Sequence, residues 1–422
     1  MTKQGRAILL WLVVSLLMVL HFFLLLSVGV ITNELRTALN LTALQLSFLS
    51  SSYLYIYLIL QTPAGILIDE FGPRKILTIG TIIASFGCWW FAQSSHLYIS
   101  MIARVMMGGG LAFVFVASIQ LAGRWFAKRY FGMMIGFSEA SGMLGAIIGN
   151  MLLAIFISKI GWRESFELAA GFGVLLAIGS WVLIRDYPDN FKVTARSKLT
   201  VNKVVASIKI LSKEPQIWLQ SAYIALMYES ITVFTGLWAN PFLRRAFNLE
   251  LDQSTLSCCL VLAGIGIGSP IAGVVCDTDR RRSKCIINCS IAMFFIMCTI
   301  LYTPNMPYWM INILMFALGV SGSSLILSFA IVAEVAPEGA KSTSVGLTNS
   351  LSLSTAIIFQ PIIGWVLNML SNEVGADGLE YYSANDFRIA LSLLPIMIAI
   401  AYIIALYIAK EMKRAAERVA KA

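Results

Sequence analysis

Gly65-Ile66-Leu67-Ile68-Asp69-Glu70-Phe71-Gly72-Pro73-Arg74-Lys75 stands where one long apolar run ends and a basic loop begins. A second stretch, Gly273-Val274-Val275-Cys276-Asp277-Thr278-Asp279-Arg280-Arg281-Arg282, repeats the arrangement, with 273 − 65 = 208. In each, a glycine permits close helix contact and an aspartate follows one helical turn on, ahead of a knot of positive charge. An offset near half of 422 residues reads as two related halves.

Working outward, hydrophobic residues make up 58 % of the chain and charged residues 13 %, about half the charge of a soluble domain. The composition is that of a membrane protein. A hydrocarbon core of roughly 30 Å needs about 20 apolar residues per crossing. That length predicts twelve helices, over residues 8–31, 44–67, 76–95, 98–121, 131–156, 165–184, 217–240, 254–276, 284–303, 308–332, 342–369 and 387–409. The first run follows Lys3 and Arg6 but exceeds a secretory signal in length and lacks a small-residue cleavage site, so it is expected to be a retained helix.

With both termini in the cytoplasm, about 24 of the 31 Lys and Arg lie on that side and about six outside, and Arg104 lies within a span. The net charge of +9 is therefore read as topology and contact with anionic headgroups of the lipid bilayer, and nucleic acid is not an expected partner. Seven cysteines, at 88, 258, 259, 276, 285, 289 and 298, lie in or beside apolar spans, with none paired in an external loop. Cys285 and Cys289 are one turn apart, but no histidine or carboxylate cluster accompanies them, and packing is the expected role. Neither a metal nor a cofactor is expected.

The expected organisation is a six-helix bundle over residues 1–184, a cytoplasmic linker over 185–216 and a second six-helix bundle over 217–422. In the linker, Val204, Val205, Ile208 and Leu211 fall at helical spacing among lysines, which fits a short surface helix or a plain tether. The duplication is supported elsewhere. Gly109 and Gly319 differ by 210, as do Gly136 and Gly346, and Ala-Ile-Ile recurs at 146–148 and 356–358.

Twelve spans in two pseudo-symmetric halves, a central basic loop and G-x-x-x-D-x-x-G-P-R between spans two and three resemble the major facilitator superfamily of secondary transporters. Arg104 followed by Gly108, Gly109 and Gly110, and Gly161-Trp162-Arg163 before span six, add to the resemblance. Glu70 replaces the basic residue often found after the aspartate, and the second motif lacks a counterpart of Gly72. The resemblance implies an all-α membrane fold, alternating access and a cytoplasmic gate built on the motif. Gly65, Asp69, Gly72, Arg74, Lys128, Arg129, Gly273 and Asp277 are the expected gate residues. Asp69 would meet the N-terminus of span eleven near Ser342 and Thr343, where unpaired backbone N–H groups attract an anion. A purely topological anchor is the alternative role.

Ionisable residues inside spans are costly and mark function. His21, Arg104, Glu139 and Glu229 are the four that stand out. Counting 1.5 Å per residue, His21 and Glu229 lie roughly 18–20 Å from the cytoplasmic surface and Arg104 roughly 9 Å from the outer one. The three thus share nearly one level, and 229 − 21 = 208 makes His21 and Glu229 equivalents of the two halves. The resemblance adds that helices one, four and seven line the central cavity. Arg104 is expected to hold an anionic or zwitterionic substrate, and Glu229 with His21 to carry a coupling proton. Glu139 is expected to pair with Arg104 or to line the exit. Structural pairing for Arg104 and plain packing for His21 stay open as alternatives.

Tyr53, Tyr57, Gln120, Tyr228, Trp238, Asn240, Asn349 and Gln360 are further candidates to line the substrate path. Tyr53, Tyr55 and Tyr57 cannot share one helical face, so at least one belongs to an aromatic belt. Ser321, Ser323 and Ser324 beside Gly319 and Gly322 are expected to pack. Exporters of the family often carry Gly-Pro in span five, where Met143 follows Gly142 here, and this favours import.

No G-x-x-x-x-G-K-[ST] segment is present, which argues against an ATP-driven pump. With only His21 and His96 there is no zinc-type or nucleophile constellation of an enzyme. The reading is a monomeric, proton-coupled importer of a small polar solute, an amino acid or organic acid, in a bacterial inner membrane. An exporter of a larger amphipathic compound or siderophore is the alternative, and a non-transporting receptor or enzyme a further one.

Overall fold

In the computed structural model, residues 3–126, 131–187, 214–276, 279–336, 341–370, 373–374 and 380–421 are described. The chain divides into two compact units, Met1–Lys198 and Leu199–Ala422. The first holds α1 (Lys3–Val30), α2 (Thr32–Leu39), α3 (Ala43–Phe71), α4 (Pro73–Gln93), α5 (Leu97–Leu111), α6 (Val114–Trp125), α7 (Phe131–Ile160) and α8 (Trp162–Leu183). The second holds α9 (Pro215–Val233), a π-helical turn (Phe234–Trp238), α10 (Ala239–Phe247), α11 (Leu251–Val275), α12 (Asp279–Tyr302), α13 (Tyr308–Gly322) and α14 (Leu325–Val335). It continues through α15 (Lys341–Leu370), a two-residue antiparallel ribbon (Glu373–Val374 with Glu380–Tyr381), α16 (Ala384–Leu391) and α17 (Leu393–Lys421).

Eleven helical stretches among the described residues are long and apolar enough to cross a membrane. The twelfth expected span, the seventh in order, is helical throughout but escapes that description. Its α9 portion has 19 residues and carries Gln216, Gln220 and Glu229, and Pro241 interrupts the helical stretch beyond it. Proline has no N–H for the Leu237 carbonyl and its ring crowds that oxygen. The chain absorbs the defect in the π turn, where the Ala239 N–H reaches the Phe234 carbonyl. Spans four and ten are also interrupted, α5 from α6 at Ala112–Phe113 and α13 from α14 at Ser323–Ser324. The offset is again constant, 323 − 112 = 211.

The two units repeat one packing scheme. In the first, α1 packs on α7 and α8, α3 on α5, and α4 on α5 and α8. In the second, α9 packs on α15 and α17, α11 on α13, and α12 on α13 and α17. Lipid offers little hydrophobic drive between helices, so close backbone approach carries much of the packing. Gly108 of α5 lies so near the Tyr53 carbonyl of α3 that a Cβ would collide with it, and Gly110 and Gly80 face each other's carbonyls in the same way. Gly319 of α13 repeats the contact against the Val261 carbonyl of α11.

The connections repeat as well. α2 ends on Asn40 (φ 51°) and α10 on Asn248 (φ 54°), both left-handed, a conformation asparagine tolerates better than most residues. Gln45 accepts the Thr42 N–H at 3.0 Å to cap α3, and Gln253 accepts the Glu250 N–H at 3.2 Å to cap α11. Arg163 donates to the Ala92 and Ser94 carbonyls at 2.6 and 2.9 Å, and Arg388 to the Leu301 carbonyl at 3.0 Å, closing the ends of α4 and α12.

Gly72 (φ 84°) makes the turn between α3 and α4. The Asp186 carboxylate, just past α8, accepts the Arg74 backbone N–H at 2.9 Å and fills the space a Cβ on Gly72 would need. It thereby satisfies an orphan donor and places negative charge at the positive end of α4. Gly319→Leu is expected to destabilise the protein by about 3 kcal/mol, seen as a lower melting temperature in detergent. Asp186→Ala is expected to cost about 1 kcal/mol in the same measurement, with Asp186→Asn recovering part of the loss.

Candidate functional site

In the first unit the polar centre is built by α1, α3 and α5. Tyr53 and Tyr57 are one turn apart on α3 and both face His21 of α1. The Tyr53 hydroxyl lies 2.8 Å from His21 Nδ1 and 3.4 Å from the His21 carbonyl. The Tyr57 ring stacks on the imidazole at 5.0 Å with 12° between planes. Tyr55 points elsewhere, as the helical period requires. The aromatic pair thus already has an occupant, the imidazole.

Arg104 of α5 has no exposed surface. Its Nη1 donates to the Leu24 carbonyl, and its Nη2 to the Leu25 and Ser50 carbonyls at 3.5 and 3.4 Å. The guanidinium also sits 4.8 Å from the Tyr53 ring centroid, a cation–π contact, while Nε has no hydrogen-bond partner. Arg104 therefore binds α1 and α3 to α5 through backbone oxygens, the structural alternative of the sequence reading. Glu139 lies on α7, but its side chain is outside the described residues.

In the second unit Glu229 of α9 is 1 % exposed. Its Oε1 accepts from the Ser352 hydroxyl of α15 at 2.9 Å, and Oε2 has no hydrogen-bond partner among the described residues. The Thr232 hydroxyl, which donates to the Tyr228 carbonyl at 3.3 Å, also faces the Glu229 carboxyl group. Trp238 and Asn240 flank the end of the π turn, both buried, with Trp238 Nε1 and Asn240 Oδ1 unpartnered. Gln360 is buried beside Pro361 within α15, whereas Asn349 and Tyr228 are half-buried. Gln120 belongs to another place: its side-chain oxygen accepts from Arg124 at 2.9 Å, near the end of α6.

Of the expected gate residues, Lys128, Arg129 and Asp277 lie outside the described residues, as do the side chains of Asp69, Ser342 and Thr343. Gly65 lies on α3 and Gly273 on α11, the latter with open space where a Cβ would stand. Arg74 donates to the Trp181 carbonyl at 2.6 Å and covers the Trp181 ring at 4.2 Å. Arg124 reaches the Asp186 carbonyl at 3.3 Å and lies 4.6 Å from the Tyr187 ring centroid. In the second unit Arg282 forms an ion pair with Glu334 at 2.6 Å. Since 282 − 74 = 208 and 334 − 124 = 210, the two positions correspond. In one unit the Asp186 carboxylate takes the Arg74 backbone N–H and its backbone carbonyl takes the Arg124 guanidinium, and in the other an arginine meets a glutamate side chain to side chain. Sequence reading passed over Asp186, whose signal was an acidic residue set between Arg185 and Tyr187 just after an apolar run.

Comparison with known proteins agrees with this architecture. The model of the Major Facilitator Superfamily matches residues 10–361 and 225–421. The uncharacterized transporter YybO of Bacillus subtilis (strain 168) is 23 % identical over 387 residues, which are 85 % of this chain and 88 % of that protein. A probable galactarate/D-glucarate transporter of the same organism is 22 % identical, covering 86 % and 85 %. A probable L-galactonate transporter of Escherichia coli (strain K12) is 24 % identical, covering 62 % of this chain and 61 % of its own. Among solved structures, a bacterial homolog of the human lysosomal transporter Spinster superposes with a TM-score of 0.77 at 16 % identity, covering 98 % and 99 % of the two chains. A mutant of the nucleoside transporter NupG superposes with a TM-score of 0.74 at 12 % identity, covering 94 % and 99 %. With the family model spanning nearly all of two units that repeat one helix-packing scheme, this chain belongs to the major facilitator superfamily, the multi-pass membrane secondary transporters.

Proposed function

We propose that this protein imports a small organic acid anion together with a proton, and that Glu229 carries the proton. The observation that carries the reading is Glu229 itself, a carboxyl group buried inside a span and faced, among the described residues, by the hydroxyls of Ser352 and Thr232 alone, with no hydrogen bond to Oε2. An ionised carboxylate is expensive there, and a group that gains and loses a proton with the transport cycle accounts for its presence. The relatives, among them probable L-galactonate, galactarate/D-glucarate and sulfoacetate transporters, support an organic anion as cargo.

In this reading His21 and Tyr53 form the polar pair of the first unit that meets the substrate. Arg104 positions them by holding α1 and α3, and its cationic charge favours an anion nearby. Trp238 and Asn240, buried at the π turn, are the candidate substrate residues of the second unit. The bundles 1–184 and 217–422, joined by the linker 185–216, move as halves of a monomer in a bacterial inner membrane with both termini cytoplasmic. The motif from Gly65 to Lys75 forms part of the cytoplasmic gate.

Uptake of labelled D-glucarate, galactarate, L-galactonate and sulfoacetate into proteoliposomes tests this. An inside-alkaline gradient is expected to drive accumulation of at least one of them. Glu229→Gln should abolish gradient-driven accumulation and leave exchange against preloaded substrate intact. Gradient-dependent uptake that survives in that variant removes Glu229 from the role, and efflux without uptake reverses the direction.

A further inference from the structure

Resting on the proton-carrying role of Glu229, we infer that a ladder of buried hydroxyls between α9 and α15 is the proton path linking Glu229 to the cytoplasm. Ser344, Thr348 and Ser352 occur at four-residue intervals and so line one face of α15. Ser221, Ala225 and Glu229 have the same spacing on α9, which packs against α15. All six are buried. The two faces are joined at two levels: Ser352 donates to Glu229 at 2.9 Å, and the Thr348 and Ser221 hydroxyls are 2.9 Å apart. Ser221 donates to the Ile217 carbonyl at 2.7 Å, so Thr348 is the donor to Ser221. From Ser352 to Ser344 the ladder runs about 12 Å, toward the end of α15 that the basic-loop bias places in the cytoplasm.

Packing alone does not call for the hydroxyls of Ser221 and Ser352. The first unit joins α1 to α7 in the same way, and the 208–210 offset sets Ser221 against Val13, Ala225 against Leu17 and Ser352 against Gly142. Val13 and Leu17 are buried, so the first unit packs with apolar side chains at two of these positions, while Ser138 stands at the position of Thr348. In the second unit leucine gives way to alanine between the two hydrogen-bonded levels. The rungs at Thr348 and Ser352 are one turn apart, about 6 Å, which one water with two hydrogen bonds of about 2.8 Å spans.

Release proceeds by transfer along that line. Once the Ser352 hydroxyl, which donates to Glu229 in the structure, has turned to the water, the Glu229 carboxyl proton passes to the Ser352 oxygen as the Ser352 proton leaves for the water. The water then passes one of its protons to Thr348 and Thr348 one to Ser221, and the Ser221 hydroxyl proton turns from the Ile217 carbonyl and leaves toward cytoplasmic water, with Glu229 left as carboxylate. Loading from the cytoplasm is the reverse. Among the described residues the groups facing Glu229 are the hydroxyls of Ser352 and Thr232. No charged side chain from α15, α17, α14 or α13 acts on it.

The test is free of substrate: infrared spectroscopy of the full chain in proteoliposomes after a rapid alkaline jump. The protonated-carboxyl band missing from Glu229→Gln identifies Glu229 in the wild type. Thr348→Val, Ser221→Ala and Ser352→Ala are expected to slow the decay of that band by about tenfold or more at unchanged final extent, while Thr348→Ser keeps the wild-type rate. If Glu229→Gln lacks no band, the proton-carrying role and the ladder both fall. If the band is lost in Glu229→Gln but decays in Thr348→Val and Ser352→Ala within about twofold of wild type, only the ladder falls.

Discussion

Gly108 lies against the Tyr53 carbonyl, and much of the first unit depends on that approach. Two helices in lipid gain little from burying apolar surface against each other, so the distance at which their backbones meet sets how well they pack. Without a side chain at 108, α5 comes down onto α3. Arg104, one turn before Gly108 on the same face, then reaches the Ser50 carbonyl, the Tyr53 ring and the α1 carbonyls of Leu24 and Leu25. Tyr53, held from below, offers its hydroxyl to His21. The contact recurs at Gly319 and Val261 in the second unit, where no arginine accompanies it.

That difference is the pattern of the whole molecule. The halves keep backbone devices in common: left-handed asparagines at 40 and 248, glutamine caps at 45 and 253, glycine contacts and interrupted fourth and tenth spans. They diverge in buried polar chemistry. The first encloses an imidazole, two phenols and a guanidinium. The second encloses a carboxyl group and a line of hydroxyls. The cytoplasmic ends diverge too: in one unit Asp186 binds the Arg74 backbone N–H through its carboxylate and the Arg124 guanidinium through its backbone carbonyl, and in the other Arg282 pairs with Glu334. The second of these pairs is partly exposed and contributes little stability. Asp186 sits at a helix N-terminus, where dipole and hydrogen bond act together.

Burying Glu229 and Arg104 costs free energy that the fold recovers unequally. Arg104 directs its Nη donors to carbonyls that already serve their own helices, and its charge meets an aromatic face. Among the described residues Glu229 is met by hydroxyls alone and keeps one oxygen without a hydrogen bond. A half-satisfied carboxyl group in a low-dielectric seam is an unstable resting point for a charge, which is what a site that must change protonation needs.

The offset near 208, the membrane class, the basic-loop bias and the intramembrane ionisable residues were all legible in the chain, because helical period, bilayer thickness and the cost of a buried charge act on sequence directly. The Asn-Leu-x-x-x-Gln stretch at 40–45 and 248–253 carries the same offset as plainly as the glycine-aspartate motif. The seventh span was placed from its apolar content, yet its π turn arises from Pro241 meeting a helix that continues past it, which only the folded backbone reveals. Tertiary structure alone decided that Arg104 turns to carbonyls, that His21 packs against both Tyr53 and Tyr57, and that hydroxyls rather than a cation face Glu229 among the described residues. A sequence sets which groups each helix carries, and partners on different helices are chosen by how closely the backbones approach.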